Sequence, residues 1–381
     1  MTTPPAAAVT AVSAVIASEA KQSPACMSAS SPAGNVGIRP TTHRSATDAA
    51  PILRVENLSV HFPVRHGVFG TRIVKALDDV SFDVPRGITL GIAGESGCGK
   101  STLGFAVTML QKLTAGRVIF DGTDLGQLGR RAVRQMRRRM QIVFQDSAAS
   151  LNPRTQIGAI LGQALDIHGL CPGRQRTPRI RALLDMVGLA ANFADRFPHQ
   201  LSGGQAQRVA IARALAVGAE LIVYDEPVSA LDVSIQAQII NLLQNLQREL
   251  ALTYLFISHD LSIVRHISDI VAVMYLGRIV EFAPKTSLYA HPSHPYSQAL
   301  LSAVPVPDPA LERARQRIIL KGDLPDPTNP PSGCGFRTRC PIAIAACAEL
   351  APPPFPVADD HWARCIRVGE PATVSAPGLP P

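Results

Sequence analysis

The residues from Gly94 to Thr102 have the composition and spacing of a phosphate-binding loop. Three glycines allow the backbone to curl, so that successive amide N–H groups point at one anion. A lysine then reaches the β- and γ-phosphates, and the serine after it offers a hydroxyl to Mg²⁺. The alternative is a glycine-rich turn that binds no ligand. The loop predicts nucleotide contacts from Gly94, Glu95, Ser96, Gly97, Cys98, Gly99, Lys100, Ser101 and Thr102.

Two acids follow a second apolar run. Leu221–Tyr224 has the character of a buried strand, and Asp225 and Glu226 come directly after it. An acid at the end of a buried parallel strand suits Mg²⁺ coordination, and the next acid can polarise a water molecule. Ser101 and Asp225 are therefore our predicted Mg²⁺ ligands, and Glu226 is placed to polarise a water molecule.

Two further apolar runs also end in polar residues. Gln145 follows Met140–Phe144, where a ligand crevice would open at the carboxyl end of a sheet. His259 follows Tyr254–Ser258. This histidine either contacts a phosphate or is a buried imidazole of the core, and the pattern alone does not choose.

A second predicted anion site precedes a strongly helical run. The segment Ser202-Gly203-Gly204-Gln205 stands before residues whose apolar positions recur at helical spacing. A helix start with exposed N–H groups attracts anions. The alternative is an ordinary capped helix start.

An aromatic side chain is available to stack on a nucleotide base. Phe62 ends an alternating, strand-like run shortly before the phosphate loop. It is either a base-stacking residue or a half-buried strand aromatic, and Phe69 is a weaker candidate. We expect a loop between Pro63 and Thr71.

These side chains need a sheet to bring them together. Buried strands are predicted before Gly94 and at the three runs named above, with helices between them, which indicates an α/β fold. Hairpins are predicted at Gly116–Gly122 and around Leu276-Gly277, and a helical segment at 155–196.

Composition excludes several classes of protein. The 381 residues suffice for two domains, or for one large domain with tails. The net charge of +8 is scattered, apart from arginines 130, 131, 134, 137, 138 and 139. That cluster is most simply a solvated helix face; a phospholipid or acidic partner is the alternative, and nucleic acid is not expected. No apolar run reaches the ~20 residues of a membrane helix.

The order of the motifs resembles the nucleotide-binding subunits of ABC transporters. The phosphate loop, Gln145, Leu-Ser-Gly-Gly-Gln, Asp-Glu, Ser229-Ala-Leu-Asp232 and His259 occur once each, in that order. Three longer segments are similar to the ATPases of dipeptide and oligopeptide importers. These segments are Val143–Pro153, Ser258–Asp269 and His294–Pro305. Such importers usually pair two ATPases, and the phosphate-loop sequence is similar to that of the second. Ser147 and Ala206 depart from that pattern, at positions expected not to touch phosphate.

The resemblance implies an assignment of domains. Residues 1–50 are expected to be a disordered tail and 51–304 the nucleotide-binding domain. That domain is a P-loop NTPase fold with an antiparallel β subdomain and an α-helical subdomain at about 146–215. Residues 305–381 are expected to be a short, irregular C-terminal region containing cysteines.

The resemblance also implies a mechanism. Two subunits pack head to tail, and each ATP lies between the phosphate loop of one subunit and Ser202-Gly203-Gly204 of the other. Gln205 and Asp232 are expected near the nucleotide, and Phe62 on the adenine. The resemblance implies Glu226 as the general base and His259 and Gln145 as further catalytic residues. It also implies Mg²⁺ coordination by Ser101, Gln145 and Asp225. Hydrolysis drives peptide import through two separate permease subunits, supplied by an extracytoplasmic binding protein, with this chain at the cytoplasmic face of the inner membrane.

Four cysteines stand in the C-terminal region. Cys334, Cys340, Cys347 and Cys365 have the spacing C-x₅-C-x₆-C-x₁₇-C, without the close pairs that zinc sites favour. The family resemblance implies a [4Fe–4S] cluster there; zinc or plain reduced thiols are the alternatives. The other three cysteines, at 26, 98 and 171, have no expected role.

Other functions stay open at the sequence level. One is an ABC-type ATPase that acts on DNA or ribosomes, but the long coiled coils, zinc hairpins or doubled motifs of that class are not visible. Another is a subunit that binds ATP without turnover, against which Glu226 and the intact Ser202-Gly203-Gly204 argue. Within transport, the alternative cargoes are a dipeptide, a longer peptide, glutathione and a nickel complex, since cargo selection lies in other subunits.

Overall fold

The computed structural model describes residues 50–66, 70–305, 308, 313 and 317–368. The predicted tail at 1–50 lies outside the described residues except for Ala50. The chain divides into two compact units. One contains 146–219 and 230–242, and the other contains 49–145, 220–229 and the chain from 243 onwards.

The larger unit is built on an eight-stranded mixed sheet. Five of its strands are parallel, in the order β9-β3-β8-β7-β6, and three more continue antiparallel beyond β9 in the order β10, β12, β11. Every residue of β3, β7 and β8 is buried, as expected for a parallel sheet covered on both faces. The strands are β3 (Thr89–Ala93), β6 (Met140–Val143), β7 (Leu221–Asp225), β8 (Thr253–Ser258), β9 (Ile270–Tyr275), β10 (Arg278–Pro284), β11 (Phe355–Ala358) and β12 (His361–Ala363).

A separate four-stranded antiparallel sheet belongs to the same unit. Its order is β2-β1-β4-β5, with β1 at Leu53–His66, β2 at Gly70–Val84, β4 at Ala115–Phe120 and β5 at Thr123–Asp124. The expected loop at 63–71 is wrong in its extent, because Pro63 to His66 continue β1 and Gly70 begins β2. Pro63 lacks an N–H group and still fits, since a strand can carry proline where no ladder donor is needed.

Helices connect the strands of this unit. They are α1 (Lys100–Val107), α2 (Arg130–Arg139), α7 (Leu261–Ile267), α8 (Lys285–Ala290), α9 (Pro295–Ala303) and α10 (Ala346–Glu349). The arginine cluster lies on α2. Arg130, Arg131 and Arg134 are exposed, whereas Arg139 pairs with Asp121 and Glu220. Half of this cluster therefore lies on the solvated helix face that composition suggested.

The smaller unit is helical. It contains α3 (Ile157–Ile167), α4 (Arg176–Met186), α5 (Gly203–Ala216) and the first part of α6 (Val233–Leu250), with short 3₁₀ turns at 173–175, 191–195 and 198–200. Helices α3, α4 and α5 pack on one another through buried leucines and isoleucines. Ser147, one of the two departures from the family pattern, is buried and donates a hydrogen bond to Gln207.

The C-terminal region joins the large sheet. It is not irregular throughout, because β12 pairs with β10 and β11 pairs with β12. Glu281 on β10 is fully buried, accepts hydrogen bonds from the backbone N–H groups of Ser293 (2.7 Å) and His294 (3.0 Å), and lies 2.8 Å from His361 Nε2 on β12. These contacts satisfy a carboxylate that burial would otherwise penalise heavily. The hairpin formed by β11 and β12 is therefore a structural part of the larger unit.

Candidate nucleotide-binding site

The phosphate loop connects β3 to α1 and has a backbone that only glycine adopts easily. Gly99 has φ +107°, and a Cβ atom there would lie 2.3 Å from the carbonyl oxygen of Ala76. Gly94 has φ +154°, and its Cβ would lie 2.3 Å from the carbonyl oxygen of Met274. These approaches are closer than any side chain tolerates. The two glycines are therefore required by packing as well as by the turn.

Lys100 is the first residue of α1 and its side chain is almost fully buried, with 4% of the residue exposed. Its Nζ atom donates hydrogen bonds to the carbonyl oxygens of Gly94 (2.8 Å) and Glu95 (2.9 Å). The ammonium group is thus held at the loop by backbone oxygens. A phosphate entering the loop would meet a positive charge that is already oriented.

A cavity of about 260 Å³ opens beside the loop. Eight of the predicted site residues line it, namely Ser96, Gly97, Gly99, Lys100, Ser101, Thr102, Gln145 and Glu226. The remaining lining residues come from segments that carry no nucleotide motif: Val74, Lys75, Ala76, Leu276, Gly277 and Pro327. The cavity brings loop and strand ends together as the motif order predicts for a nucleotide site.

Other predicted loop residues face away from this cavity. The side chain of Cys98 is buried, and burial raises the pKa of its thiol. Gly94 and Glu95 do not line the cavity either. Contacts from these three residues to a nucleotide remain predictions and would have to come from their backbone.

Ser101 and Asp225 meet at the edge of the cavity. The Ser101 hydroxyl donates a hydrogen bond of 2.9 Å to Asp225 Oδ1, across 124 positions of sequence. Burial raises the pKa of Asp225, and the bond from Ser101 opposes that rise. Two oxygen donors at this separation suit a hard divalent cation, so the pair fits Mg²⁺ in its chemistry.

Glu226 is held in an unusual conformation. It has φ +48°, in the left-handed region that a non-glycine residue occupies only under constraint. Its N–H group donates to the carbonyl oxygen of Ile257, and its Oε2 atom accepts a hydrogen bond from Gln145 Nε2 (3.3 Å) and lies 3.1 Å from His259 Nδ1. His259 is half exposed, which rules out the buried-imidazole alternative. The side chains of Gln145 and His259 thus converge on the carboxylate of Glu226.

Two contacts to the loop were not foreseen from sequence. The backbone N–H of Glu95 donates to the Tyr296 hydroxyl, and the Glu95 carboxylate pairs with Arg339. These residues lie 201 and 244 positions further along the chain, and no pattern links them to the loop, although Tyr296 falls in the segment His294–Pro305. Only an alignment showing covariation of the pairs would have given a signal.

Phe62 lies on β1, opposite Val74 of β2. It is partly buried and packs against the core of the larger unit. Val74 lines the cavity and Phe62 does not. Its stacking on adenine therefore stays a prediction, and its rival Phe69 lies outside the described residues.

The second predicted anion site lies in the helical unit. Ser202 caps α5: its hydroxyl accepts from the Gln205 N–H (3.4 Å), and the Gln205 side chain accepts from the Ser202 N–H (3.0 Å). A Cβ atom on Gly204 would lie 2.6 Å from Ile235 Cγ2, so glycine is needed there. The exposed Asp232 precedes α6 and accepts hydrogen bonds at its carbonyl oxygen from Ile235 and Gln236. The capped-helix interpretation is correct and leaves an exposed helix start that can still bind an anion.

Known proteins resemble this chain over most of its length. Residues 77–229 match the ABC transporter family, and residues 280–347 match the C-terminal region of oligopeptide and dipeptide transporters. The oligopeptide transport ATP-binding protein AppF of Bacillus subtilis is 51% identical over 324 residues, which are 84% of this chain and 98% of that protein. A putative peptide import ATP-binding protein of Brucella ovis is 52% identical over 317 residues, covering 83% of this chain and 98% of the relative. This chain belongs to the ATP-binding proteins of ABC transporters.

Solved structures of the family agree with the fold of this ABC ATPase. The dimeric bacterial cassette MJ0796, in a post-hydrolysis state with ADP and Pi, matches with a TM-score of 0.55 and 30% identity. The match covers 61% of this chain and 98% of that one. CbiO1 of Clostridium perfringens matches with a TM-score of 0.56 and 30% identity, over 64% and 92% of the two chains. The predicted α/β nucleotide-binding fold is confirmed. No helix among the described residues is long and apolar enough to cross a bilayer.

The four C-terminal cysteines of the ABC ATPase lie around one small cavity. Cys334, Cys340, Cys347 and Cys365 all line a space of about 20 Å³, which is room for roughly one water molecule. Burial raises the pKa of Cys334, Cys340 (to about 11) and Cys365. In the described part of the chain, no three His, Cys, Asp or Glu side chains are arranged to hold a metal ion. The four sulfur atoms suit a soft metal in their chemistry, but a space of this size is too small for an iron–sulfur cluster in the conformation described.

Proposed function

We propose that this ABC ATPase powers the import of peptides through a separate membrane permease. The observation that carries the proposal is the convergence of Lys100, Ser101, Gln145 and Glu226 on one cavity, in a chain whose C-terminal region matches that of oligopeptide and dipeptide transporters. Relatives named for peptide import share about half of its residues. The chemistry of the site and the similarity to peptide importers thus support the same role, ATP-driven peptide import.

Phosphate binding comes first in the proposed mechanism. The amides of the loop and the Nζ atom of Lys100 hold the β- and γ-phosphates of ATP, with the start of α1 behind them. Ser101, Gln145 and Asp225 would hold Mg²⁺, which neutralises charge on the phosphates when bound. Phe62 would stack on the adenine ring.

Glu226 is the proposed general base. Its carboxylate lies at the cavity and is held by Gln145 and His259, so it can take a proton from a water placed in line with the γ-phosphate. His259 is exposed enough to reach the γ-phosphate as well as Glu226. The strained backbone of Glu226 supports this role, because such strain persists where function needs a fixed orientation.

The site is proposed to be completed by a second subunit. Ser202, Gly203 and Gly204 would bind the γ-phosphate held by the loop of a neighbouring ATPase, with Gln205 and Asp232 beside them. The bacterial cassette MJ0796, which is described as a dimer, supports this arrangement. We expect an identical or related ATPase as partner; the loop sequence favours the second member of a pair.

The remaining partners follow from this role. Two permease subunits would carry the pore, an extracytoplasmic binding protein would deliver the peptide, and this chain would sit at the cytoplasmic face of the inner membrane. Nucleic acid has no part in the proposal.

A transport assay tests the proposal directly. The chain is assembled with its permease and binding protein in proteoliposomes, and ATP-dependent uptake of labelled di- and oligopeptides is measured. Uptake of peptide by the parent complex and none by a Lys100→Ala complex is expected. Uptake of a nickel complex or glutathione in place of peptides would contradict the peptide cargo. Full peptide uptake by Lys100→Ala would contradict the proposed site.

The four cysteines are proposed to hold a [4Fe–4S] cluster in a structural role. The proposal is supported by four thiols that line one cavity, because thiolates are the ligands that such clusters use. The segment would have to open around the cluster, since the present space is only about 20 Å³. Cys334, Cys340, Cys347 and Cys365 would each ligate one iron. The test is iron and acid-labile sulfide content together with visible absorption of anaerobically purified protein, with Cys347→Ser as comparison. Zinc in place of iron, or no metal at all, would contradict the cluster.

A further inference from the structure

We propose that Arg339 is a positioning residue for ATP binding, which holds the phosphate loop through Glu95. The four-cysteine segment, which carries Arg339, thereby contributes to nucleotide binding. The inference rests on the proposal above that the loop from Gly94 to Ser101 binds the phosphates. It adds a residue that no nucleotide motif contains.

The contact between the two side chains is bidentate. Arg339 Nη1 lies 2.7 Å from Glu95 Oε2, and Nη2 lies 3.2 Å from Oε1. The Arg339 side chain is 10% exposed and that of Glu95 is 29% exposed. Exposed ion pairs contribute little because water screens them. A paired guanidinium and carboxylate that are this well covered fix geometry as well as charge.

The backbone of Glu95 is held at the same time. Its N–H group donates a hydrogen bond of 2.9 Å to the hydroxyl of Tyr296, which is fully buried. Its carbonyl oxygen accepts a hydrogen bond from Lys100 Nζ. Glu95 is therefore the residue through which the arginine and the phosphate-binding lysine are connected. A shift of Glu95 would move one of the two oxygens that orient Lys100.

Arg339 is presented to the loop by the cysteine segment. Its N–H group donates to the carbonyl oxygen of Phe336, whose buried ring contacts Tyr275 and Tyr296 at 5.2 and 5.3 Å between centroids. Cys340 follows Arg339 directly in sequence. The position of the guanidinium is thus set by the fold around the cysteines and by an aromatic cluster.

The positive charge of Arg339 should also affect the affinity for ATP. Without Arg339, the Glu95 carboxylate would stand unpaired in the loop that has to bind a triphosphate. Like charges at short range repel, and the partly covered position weakens screening by solvent. Arg339 therefore improves ATP binding in two ways, by fixing the loop and by neutralising Glu95. The two effects are separable by mutation.

The test measures the Kd of a fluorescent ATP analogue with Mg²⁺ for the purified full chain. We expect Arg339→Met to raise Kd about tenfold, the equivalent of about 1.4 kcal/mol. Arg339→Lys, which keeps the charge and loses the bidentate geometry, should fall between that variant and the parent. The double variant Arg339→Met with Glu95→Gln should recover most of the affinity because the unpaired charge is gone. Arg337→Met is the matched control, since Arg337 bonds to Ser332 in the same segment and should leave Kd within about twofold.

Several outcomes would overturn the inference. An unchanged Kd for Arg339→Met removes the positioning role. A double variant as weak as Arg339→Met, together with a parent-like Kd for Glu95→Gln, removes the charge effect and supports the fixing of the loop alone. A lower melting temperature with unchanged Kd shows a structural contact only. If Arg339→Met does not fold, parent-like binding by Arg339→Lys leads to the same rejection.

One further variant separates this inference from the function on which it rests. Loss of binding by Lys100→Ala together with parent-like binding by Arg339→Met rejects the positioning role alone. Parent-like binding by Lys100→Ala rejects the phosphate site itself, and the inference with it.

Discussion

Glu226 and His259, 33 positions apart, face each other at the carboxyl ends of two neighbouring strands, with 3.1 Å between Glu226 Oε2 and His259 Nδ1. The parallel pairing of β7 and β8 places them there, because Asp225 is in register with Ile257. The same register lets the Glu226 N–H reach the Ile257 carbonyl oxygen. Sheet pairing, and not the sequence of either loop, thus fixes the geometry of the proposed base.

Replacing the proposed base should stop turnover and leave nucleotide binding intact. Glu226→Gln keeps the shape of the side chain and its contact with Gln145, but the amide cannot accept a proton from water. We expect kcat for ATP hydrolysis in the assembled complex to fall at least about 100-fold. The Kd of the ATP analogue should change little. Turnover at the parent rate would remove Glu226 from the catalytic role.

Replacing the neighbouring histidine should have a smaller effect. In His259→Ala the carboxylate keeps Gln145 as its partner but loses the imidazole, and the proposed γ-phosphate contact is lost. We expect kcat to fall about tenfold or more, with a smaller change in KM, because the contact is made most fully in the transition state. His266→Ala is the control, since the exposed His266 imidazole contacts the Ser262 carbonyl oxygen within α7, away from the site. Equal kcat values for the two variants would contradict the role of His259.

The loop glycine nearest a neighbouring carbonyl should tolerate no side chain. In Gly99→Ala the new Cβ would stand 2.3 Å from the Ala76 carbonyl oxygen at φ +107°. We expect loss of measurable nucleotide binding and a free energy of unfolding lower by about 1–3 kcal/mol. Gly129→Ala is the control, because no atom lies within 4 Å of its Cβ position and its φ is ordinary. Parent-like binding by Gly99→Ala would show that the loop is more open in solution.

Stability should fall in mild acid because of His294. This residue is fully buried at the start of α9, and burial lowers its pKa to about 4 while the nearby Glu281 acts in the opposite direction. The unfolded chain has an ordinary histidine pKa and therefore binds a proton that the folded chain does not. The stabilisation is complete above about pH 6.5 and is lost progressively towards about pH 4, by an amount on the order of 2–3 kcal/mol.

Denaturant titrations between pH 4.5 and 7.5 measure this dependence. The variant His294→Gln should be less stable at neutral pH and should show a flatter pH profile than the parent. His266→Gln, on an exposed helix face, should keep the parent profile. A parent-like slope in His294→Gln would assign the pH dependence to other groups.

Substitution of cysteines in the C-terminal region should weaken the binding of nucleotide. In Cys340→Ser combined with Cys365→Ser we expect weaker binding of the ATP analogue, because the partly buried thiols of Cys340, which follows Arg339, and of Cys365 are lost. The loss of affinity should be several-fold in the parent background and much smaller in the Arg339→Met background, since effects that act through one contact do not add. Equal losses in both backgrounds would mean that the cysteines act on the nucleotide site by another path.

Sequence patterns predict the part of this site that is built from local motifs. Lys100, Ser101, Asp225 and Glu226 each follow a buried strand, and parallel strands bring their carboxyl ends to one edge, so their meeting was foreseeable. The extent of β1 and β2 was not foreseeable, because Pro63 and the glycines that follow it are typical of loops. The pairing of Glu95 with Arg339 was also not foreseeable: neither residue is part of a pattern that refers to the other, and their approach depends on the packing of Phe336.

The burial of Glu281 bears on how this protein could be recombined with its relatives. The carboxylate sits on a strand of the cassette, whereas the imidazole beside it comes from the terminal hairpin. A hybrid that kept the cassette but ended before His361, or that borrowed a tail without an equivalent donor, would remove one of the three partners described for the buried Glu281 side chain. Cassette and tail are therefore expected to be exchanged, inherited or engineered as a matched pair.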